Sequence, residues 1–241
     1  MPTTQPPEDI ARIFADMARA LLAAETVNET LQRVVDLAVE TVEGCDNCGV
    51  SVVQRGGQIT TPAATSDGVA QCDALQYEFG EGPCVSAIWE QQTFESEDLA
   101  QEQRWPNWAP RAVELGANSL VSFRLFVKKD TLGALNLYAG KPRAFDDVDR
   151  AVGAILAAHG AVALSGAQRQ ERLEGAIVVA KATGMLMERR GITSDQAMEL
   201  LQRAAIRTDT KLQRVAEQFL GRQAPQTEKT HGQGQRTQHR P

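Results

Sequence analysis

The sequence is poor in the residues and motifs that most enzymes use. It has three histidines, and two of them, His231 and His239, lie near the C-terminus. The motifs G-x-G-x-x-G, G-x-x-x-x-G-K-S/T and G-x-S-x-G are absent, which argues against the common nucleotide-binding loops and the hydrolase nucleophile turn. The third histidine, His159, falls on an apolar helical face, where we expect it to be packed and hydrogen-bonded. These absences predict a protein that is not an enzyme and uses no cofactor.

Cysteine is also scarce, with four residues in a chain of 241, too few for a disulfide framework. Cys45 and Cys48 form a C-x-x-C motif, but a zinc site needs four ligands, and Cys72 and Cys84 do not lie at metal-like spacing. Ordinary buried thiols are therefore the favoured interpretation. Redox sensing by this motif is the alternative.

Long apolar runs are missing as well. We expect no stretch that approaches about 18 apolar residues without a charge, and therefore no transmembrane helix. Residues 1–9 have neither the basic start nor the apolar core of a signal peptide. The sequence therefore predicts a cytoplasmic protein that does not bind a membrane.

Positive charge is scarce in the first two thirds of the chain. Residues 1–170 hold 13 basic and 23 acidic side chains, a net charge of −10, whereas residues 171–222 and 223–241 each carry a net charge of +2. An acidic field repels nucleic acid, but the basic C-terminal third can bind it weakly and with a dependence on salt. A solvated helical region with a small positive charge is the alternative interpretation.

Apolar periodicity outlines the elements of the first part. Spacing of i, i+3 and i+4 predicts two helices within residues 9–42, separated by a break near residues 25–28. Gly56-Gly57 indicates a hairpin, and Gly133 indicates a close approach of two backbones. Short strands are predicted at residues 50–53, 59–61, 118–127 and 132–138, and a short helix at residues 85–91.

A long helical stretch begins at Asp146. An alternating spacing of four and three residues is kept by Val148, Val152, Ile155, His159 and Val162. This spacing is typical of a coiled coil, and equally of a helix packed on the sheet. After a polar interruption the apolar stripe continues through Leu173, Ile177, Ala180 and Gly184.

Two shorter helices follow. Thr193 and Gln196 have the spacing of a capping box, which predicts a helix start, and a last amphipathic helix ends near Gly221. Residues 223–241 are rich in Gln, Thr, Gly and Pro, and we expect them to be disordered.

The loop around Trp105 and Trp108 is unusual because each indole ring needs a buried place. One interpretation is a loop clamped to the sheet by aromatic anchors. The other is a lid over a ligand cavity.

Residues 9–165 resemble a GAF domain of the actinobacterial type. The matching pieces are Gln76-Tyr77, Gly80-Glu81-Gly82-Pro83-Cys84, Asp98-Leu99, Arg104-Trp105-Pro106, Gly116, Ser119, Gly133-Ala134-Leu135-Asn136-Leu137-Tyr138 and Phe145. The resemblance implies an α+β sensor, with a six-stranded antiparallel sheet flanked by helices, that binds a small ligand or dimerises. The residues expected to line the ligand pocket are Tyr77, Glu81, Cys84, Trp105 and Asn136.

Residues 169–222 resemble an ANTAR domain, a three-helix RNA-binding unit of transcription antiterminators. The match runs through Ala182, Gly184, Leu186, Met187, Ala197, Leu201, Ala204, Lys211, Leu212, Val215 and Ala216. The resemblance implies binding to paired stem-loops in nascent transcripts, which stops a terminator hairpin from forming. Two loops need two units, so it also implies a homodimer. The RNA-binding residues expected here are Lys181, Ala182, Thr183, Gly184, Met187, Arg189, Arg190, Arg203, Lys211 and Arg214, and Arg207 adds a further cation.

Three positions depart from the ANTAR pattern. Thr183 stands where a lysine is often found, Gln202 where an arginine is often found, and Asp209 where an asparagine is common. These changes predict a lower RNA affinity from charge. Gly184 equally suits close helix packing, and for Met187 a place in the core is the favoured interpretation. The Arg189-Arg190 pair also suits a helix C-terminus.

The predicted organisation is a GAF domain at residues 9–165, an all-α three-helix ANTAR domain at 166–222, and a tail at 223–241, with a long helix joining the two domains. We expect an RNA-binding antitermination regulator in which a signal at the GAF domain changes pairing of two chains across residues 146–190. The alternative is a small-ligand or redox sensor whose C-terminal helices contact a protein partner.

Overall fold

A computed structural model describes residues 7–221 except residue 91, so the predicted tail lies outside the described residues. The helices are α1 (Pro7–Leu22), α2 (Val27–Thr41), α3 (Asp67–Phe79), α4 (Pro83–Glu90), α5 (Ala109–Glu114), α6 (Asp147–Arg190), α7 (Ser194–Arg207) and α8 (Leu212–Gly221). The strands are β1 (Asn47–Val53), β2 (Ile59–Ala64), β3 (Phe94–Ser96), β4 (Ser119–Val127) and β5 (Asp130–Ala139). The predicted fold class is confirmed: an antiparallel sheet flanked by helices, then a helical unit, with one long helix between them.

In the described part of the chain the sheet has five strands, in the order β2-β1-β5-β4-β3, and every pair is antiparallel. The expectation of a sixth strand is therefore wrong for the described residues. The chain between β3 and β4 instead forms a 3-10 turn, Leu99–Gln101, followed by α5. Asp98 caps this turn through a hydrogen bond from the Ala100 amide at 3.1 Å, and Pro110 occupies the first turn of α5, where it is well tolerated.

Helix α3 is absent from the sequence prediction, and its inward face explains why. The residues that it buries are Val69, Cys72, Asp73 and Gln76, so half of that face is polar. Such a face gives no apolar stripe to detect. The helix is fixed instead by its ends, because Ser66 caps the N-terminus and Gly80 ends the helix at φ 66°.

Helix α6 packs on the sheet along one face, as one of the two interpretations of its spacing predicts. Leu156 and Leu164 are buried in the core beside α2. A Cβ at Gly153 would lie 2.6 Å from the ring of Phe123 on β4, so glycine permits close contact there. His159 is exposed on this helix, and its Nδ1 lies 2.9 Å from the Ile155 carbonyl. The expectation that His159 is packed is therefore wrong.

The same helix is long and apolar enough to cross a membrane by length and composition, so the expectation that no stretch of about 18 residues lacks a charge is wrong. Residues 151–168 contain no Asp, Glu, Lys or Arg. However, 39% of the apolar window is buried inside the protein, and core helices of soluble proteins pass the same test.

The chain divides into two compact units, Met1–Glu171 and Arg172–Pro241. The second has its own small core, formed by Ala182, Leu186, Ala197, Leu201 and Ala216. The capping box predicted at its second helix is present: the Thr193 hydroxyl accepts from the Gln196 amide, and the Gln196 side chain accepts from the Thr193 amide.

The close backbone approach predicted at Gly133 is confirmed, because a Cβ there would overlap the carbonyl oxygen of Ser51 on β1. We expect Gly133→Ala to lower the free energy of unfolding of the first unit by about 3 kcal/mol, the upper end of the cost of overpacking. Tryptophan fluorescence during urea unfolding measures this directly, since all three tryptophans, Trp89, Trp105 and Trp108, lie in the first unit.

Gly68→Ala is the matched control. Its Cβ would meet only the Ser66 hydroxyl, at 3.9 Å, and the backbone there is ordinary helix. We expect Gly68→Ala to raise the free energy of unfolding by less than about 1 kcal/mol. Equal losses in the two variants would contradict the assignment of a backbone clash to residue 133.

Candidate sensory core and RNA interface

A buried carboxylate, that of Asp73, is the centre of a polar cluster between the sheet and helix α3. Four groups donate hydrogen bonds to it: the Tyr138 hydroxyl at 2.5 Å, the Thr61 hydroxyl at 2.9 Å, the Asn136 amide at 2.9 Å and the Gln76 amide at 3.4 Å. Among the described residues no cationic side chain is bonded to Asp73. The negative charge is therefore stabilised by hydrogen-bond donors alone.

The hydroxyl groups around Asp73 form a chain with one direction. Because Thr61 gives its only proton to Asp73, it must accept from the Tyr77 hydroxyl, 2.6 Å away. Tyr77 in turn accepts from Ser51 at 2.6 Å, and Ser51 accepts from the Cys84 thiol at 3.0 Å. Three elements, β1, β2 and α4, are thus connected to one carboxylate through defined proton positions.

Burial dominates the titration of this cluster. It raises the pKa of Asp73 from its ordinary value of 3.8 to about 6, while the hydrogen bonds from Tyr138, Thr61 and Asn136 oppose that rise. Burial likewise raises the pKa of the Tyr77 and Tyr138 hydroxyls, and the Asp73 charge adds to it. Both tyrosines therefore remain neutral donors at any physiological pH.

The structure brings together three of the five expected pocket residues. Tyr77 and Asn136 both bond Ser51, and the Cys84 backbone amide donates to the Gln76 side chain at 2.8 Å. Their polar atoms are satisfied by protein partners. Surface clefts of about 360 and 300 Å³ are lined by other residues, none of them among the five.

Of the remaining two expected pocket residues, Glu81 lies in the turn between α3 and α4, and Trp105 lies in the loop before α5. Glu81 accepts from the backbone amides of Asn107 and Trp108, at 2.6 and 2.8 Å, where a carboxylate favours a helix start. The Trp105 indole donates to Ser86 at 3.4 Å, and the Trp108 indole to the Cys72 carbonyl at 3.0 Å. Both tryptophans are buried, so this loop is clamped to the domain, as the first of the two interpretations holds.

Sequence reasoning missed Asp73, Ser51 and Thr61 as members of this cluster, and also Ser122, whose hydroxyl donates to the Asn136 side-chain oxygen at 2.9 Å. A usable signal was present in α3. Asp73, Gln76 and Tyr77 are three and four residues apart and therefore share one helical face, and a polar face of that kind in a buried helix needs partners.

The four thiols are buried, which confirms the favoured interpretation of the cysteines. Burial raises the pKa of Cys45, Cys72 and Cys84 to about 12 and also raises that of Cys48. Thiols of this kind are poor nucleophiles, so redox sensing by the C-x-x-C motif has no support. Within the described residues no group of three His, Cys, Asp or Glu side chains is placed to hold a metal ion.

In the three-helix unit, two of the expected RNA-binding residues face inwards. Ala182 is 0% exposed, and Thr183 is buried with its hydroxyl bonded to the Val179 carbonyl at 2.8 Å. Their side chains cannot reach an RNA, because this part of α6 supplies the core. Gly184 lies in open space, so close helix packing is the wrong interpretation, and Met187 is 36% exposed rather than in the core.

The expected cations are all exposed. They are Lys181, Arg189, Arg190, Arg203, Lys211 and Arg214. Arg203 is paired with Glu199 on the same helix, whereas the structure gives the other five no ion pair among the described residues. Arg189 and Arg190 form the last turn of α6, so their favourable place at a helix C-terminus is also present.

Three of the cations flank the turn between α7 and α8. Arg207 ends α7, and Lys211 and Arg214 lie at the start of α8; we call these three residues the corner cations. Gln213 of α8 packs against Gly175 of α6, and Arg189 is 14 residues further along that helix, about 21 Å at 1.5 Å per residue. Asp209, in the turn between α7 and α8, has a φ of 47°.

Comparison with known families divides the chain within α6, the helix that also contains the boundary between the two compact units. Residues 24–165 match the GAF domain model and residues 167–220 match the ANTAR domain model. No curated protein sequence matches the chain.

Solved structures resemble the first part of the chain. The GAF domain of a phosphoenolpyruvate-protein phosphotransferase from Coxiella burnetii is 16% identical, with a TM-score of 0.56 over 70% of this chain and 99% of that one. The corresponding domain from Acinetobacter is 11% identical, with a TM-score of 0.54 over 68% and 97%. The fRMsr of Staphylococcus aureus is 15% identical, with a TM-score of 0.53 over 68% and 99%. At these identities the likeness concerns the fold alone.

Asp73 should make the stability of the first unit depend on pH. Its pKa is higher in the folded than in the unfolded chain, so its contribution is greatest below about pH 4 and is lost as the pH rises through about 6. We expect the free energy of unfolding of the natural protein, relative to that of Asp73→Asn, to fall by about 2 kcal/mol between pH 4 and pH 7. Tryptophan fluorescence in urea at each pH measures it. A difference that stays constant across this range would contradict the raised pKa.

Proposed function

The chain belongs to the GAF domain family, with an ANTAR domain after it, and on that premise we propose that it is an RNA-binding transcription antitermination regulator. GAF domains are sensory domains, and ANTAR domains are RNA-binding antitermination modules. In this proposal the ANTAR unit binds paired stem-loops in a nascent transcript and prevents a terminator hairpin. The protein acts in the cytoplasm, as a homodimer, and catalyses no reaction.

The observation that carries the proposal is the set of corner cations, Arg207, Lys211 and Arg214. They are exposed, and the structure gives them no ion pair among the described residues. Exposed arginine and lysine side chains bind the phosphates of nucleic acids. Here they belong to a unit of net positive charge in an otherwise acidic chain. Arg189 and Arg190, exposed in the last turn of α6, supply two further cations for phosphates of the RNA.

The GAF unit contributes the regulatory input. Three expected pocket residues, Tyr77, Cys84 and Asn136, are occupied by bonds within the protein, so a small ligand would have to displace those bonds to enter between the sheet and α3. We therefore favour control through pairing of two chains over control by a ligand held in this core. The four buried thiols give no support to a redox sensor.

Filter binding to an RNA with two short tandem stem-loops tests the proposal, with a single-loop RNA for comparison. We expect tighter binding to the double loop, and an affinity that falls as salt rises. Absence of binding to either RNA at low salt would overturn the RNA-binding role. It would favour the alternative in which the C-terminal helices contact a protein partner.

The double variant Lys211→Ala/Arg214→Ala should weaken RNA binding. The slope of log affinity against log salt is about −0.7 for each phosphate contact to single-stranded RNA. The loss of two contacts should therefore make this slope less negative by about 1.4. Titrations at four or more salt concentrations measure this slope.

A matched control removes two exposed cations from the first unit, as Arg33→Ala/Lys141→Ala. We expect its salt slope to equal that of the natural protein. Equal slopes in all three proteins would mean that the corner cations do not contact the RNA.

A further inference from the structure

Two hairpin turns of the sheet lie at the same edge of the first unit. Val52 of β1 pairs with Gly133 of β5, close to the end of β1 and to the start of β5. The turn at residues 54–58 and the turn at residues 128–129 therefore project from the same end of the strands. Aromatic and basic side chains on or beside these turns form a group that we call the hairpin edge: Arg55, Trp89, Arg124, Phe126, Lys128 and Lys129.

The two aromatic rings of the hairpin edge are exposed but held in place. Trp89, at the end of α4, is 57% exposed, and its ring adjoins the first turn, because a Cβ at Gly57 would lie 3.9 Å from it. Phe126 is 49% exposed. The Arg124 guanidinium lies over the Phe126 ring, 4.7 Å from its centre, and donates to the Thr131 hydroxyl at 2.6 and 2.9 Å. Each ring thus has a fixed place at which a flat partner can stack.

The strand register places the two rings near each other. Phe126 on β4 pairs with Thr131 of β5, and β5 is the strand between β4 and β1. At about 4.8 Å for each strand spacing, Phe126 and the end of β1 are roughly 10 Å apart. Arg124, in contact with the Phe126 ring, pairs with Ala134, which packs against α4. Both rings therefore lie on the side of the sheet that α4 covers.

The hairpin edge is positive in a unit that is otherwise acidic. Residues 53–59, 83–90 and 124–131 hold four cations and two carboxylates, those of Glu90 and Asp130, whereas residues 1–170 carry a net charge of −10. Across the described residues the structure gives the four cations no ion pair. Other arginines of the first unit are paired with acidic side chains, namely Arg19, Arg104, Arg111, Arg143 and Arg150. A polyanion is therefore attracted to this edge rather than to the rest of the unit.

Turn geometry does not account for the two lysines. Lys128 has a φ of 57°, in the left-handed region that glycine and asparagine adopt with less strain. Two-residue hairpin turns ordinarily favour those residues. The turn therefore holds a cationic side chain at a position where backbone geometry favours other residues.

We propose that the hairpin edge binds a single-stranded segment of RNA, with bases stacked on Trp89 and Phe126 and phosphates held by the four cations. Exposed rings beside cations are the combination that binds unpaired bases without regard to sequence. An acidic peptide would use the cations but would leave the two exposed rings without a partner. The site lies within the first unit and so goes beyond the proposed function, and only the choice of RNA as the polyanion rests on that function.

The first test uses an oligouridine of about 12 nucleotides, which forms no stem-loop and has a length that one single-strand surface covers. Fluorescence anisotropy with the full chain measures its affinity. We expect Trp89→Ala and Phe126→Ala each to weaken binding about fivefold or more. Leu22→Ala, at an 81% exposed apolar position on α1, is the matched control and should bind as the natural protein does. Absence of oligouridine binding at low salt overturns the proposal, and so does unchanged binding in both aromatic variants.

Tryptophan fluorescence reports stacking directly. Of the three tryptophans, Trp89 alone is exposed, since Trp105 and Trp108 are buried. Oligouridine should therefore quench the emission of the natural protein. Trp89→Phe keeps a ring for stacking, so we expect this variant to bind oligouridine without quenching. Quenching of the same size in Trp89→Phe would overturn the assignment of Trp89 to the site.

The salt dependence of oligouridine binding tests the cations. At about −0.7 for each phosphate contact, Lys128→Ala/Lys129→Ala should make the slope of log affinity against log salt less negative by about 1.4. Arg33→Ala/Lys141→Ala removes two exposed cations of the same unit that lie outside the hairpin edge, and it should leave the slope unchanged. A changed slope in the lysine variant with full affinity in both aromatic variants would overturn base stacking and favour an acidic protein segment as the partner.

The tandem stem-loop RNA separates this inference from the proposed function. Oligouridine binding that depends on Trp89, without binding of the tandem loops, would support the hairpin edge and overturn the antitermination role. Binding of the tandem loops by the natural protein, without binding of oligouridine, would overturn the hairpin edge and leave the proposed function standing.

Discussion

The buried charge of Asp73 is the constraint around which the core of the GAF domain is organised. A carboxylate without a cationic partner is costly in a protein interior unless its oxygens are hydrogen-bonded. Here the donors come from β2, from β5 and from α3 itself. Helix α3 is therefore attached to the sheet by polar contacts of fixed direction, and the loss of one donor would affect the whole cluster rather than a single pair.

This constraint also explains which parts of the fold can be predicted from sequence. Elements with a regular apolar pattern, such as α2, β4 and α6, are evident from spacing. Helix α3 is not, because its inward Asp73 and Gln76 look like surface residues until their partners on β5 are known. Glu81 illustrates the same difficulty in a loop: the family resemblance places it in a ligand pocket, whereas in the structure its carboxylate accepts from the two backbone amides just before α5.

In the ANTAR unit, family resemblance names the right segment but does not separate core from surface. Ala182 and Gly184 are two residues apart on one helix, and one is wholly buried while the other meets open solvent. That difference depends on where α7 and α8 pack, which one chain's sequence does not state. The chain thus combines an acidic first domain with a C-terminal unit of net positive charge and exposed cations.

The left-handed backbone of Asp209 limits which residues can occupy the turn between the corner cations Arg207 and Lys211. Asparagine and aspartate adopt that conformation with the least strain among residues with side chains, so the choice at this turn is governed by backbone geometry before RNA affinity enters. A lysine or arginine here would add charge near Arg207 and Lys211 but would strain the turn that orients them. Under the proposed RNA-binding role, changes in affinity are then expected from substitutions at the exposed helical positions on either side of this turn, where the backbone is ordinary helix.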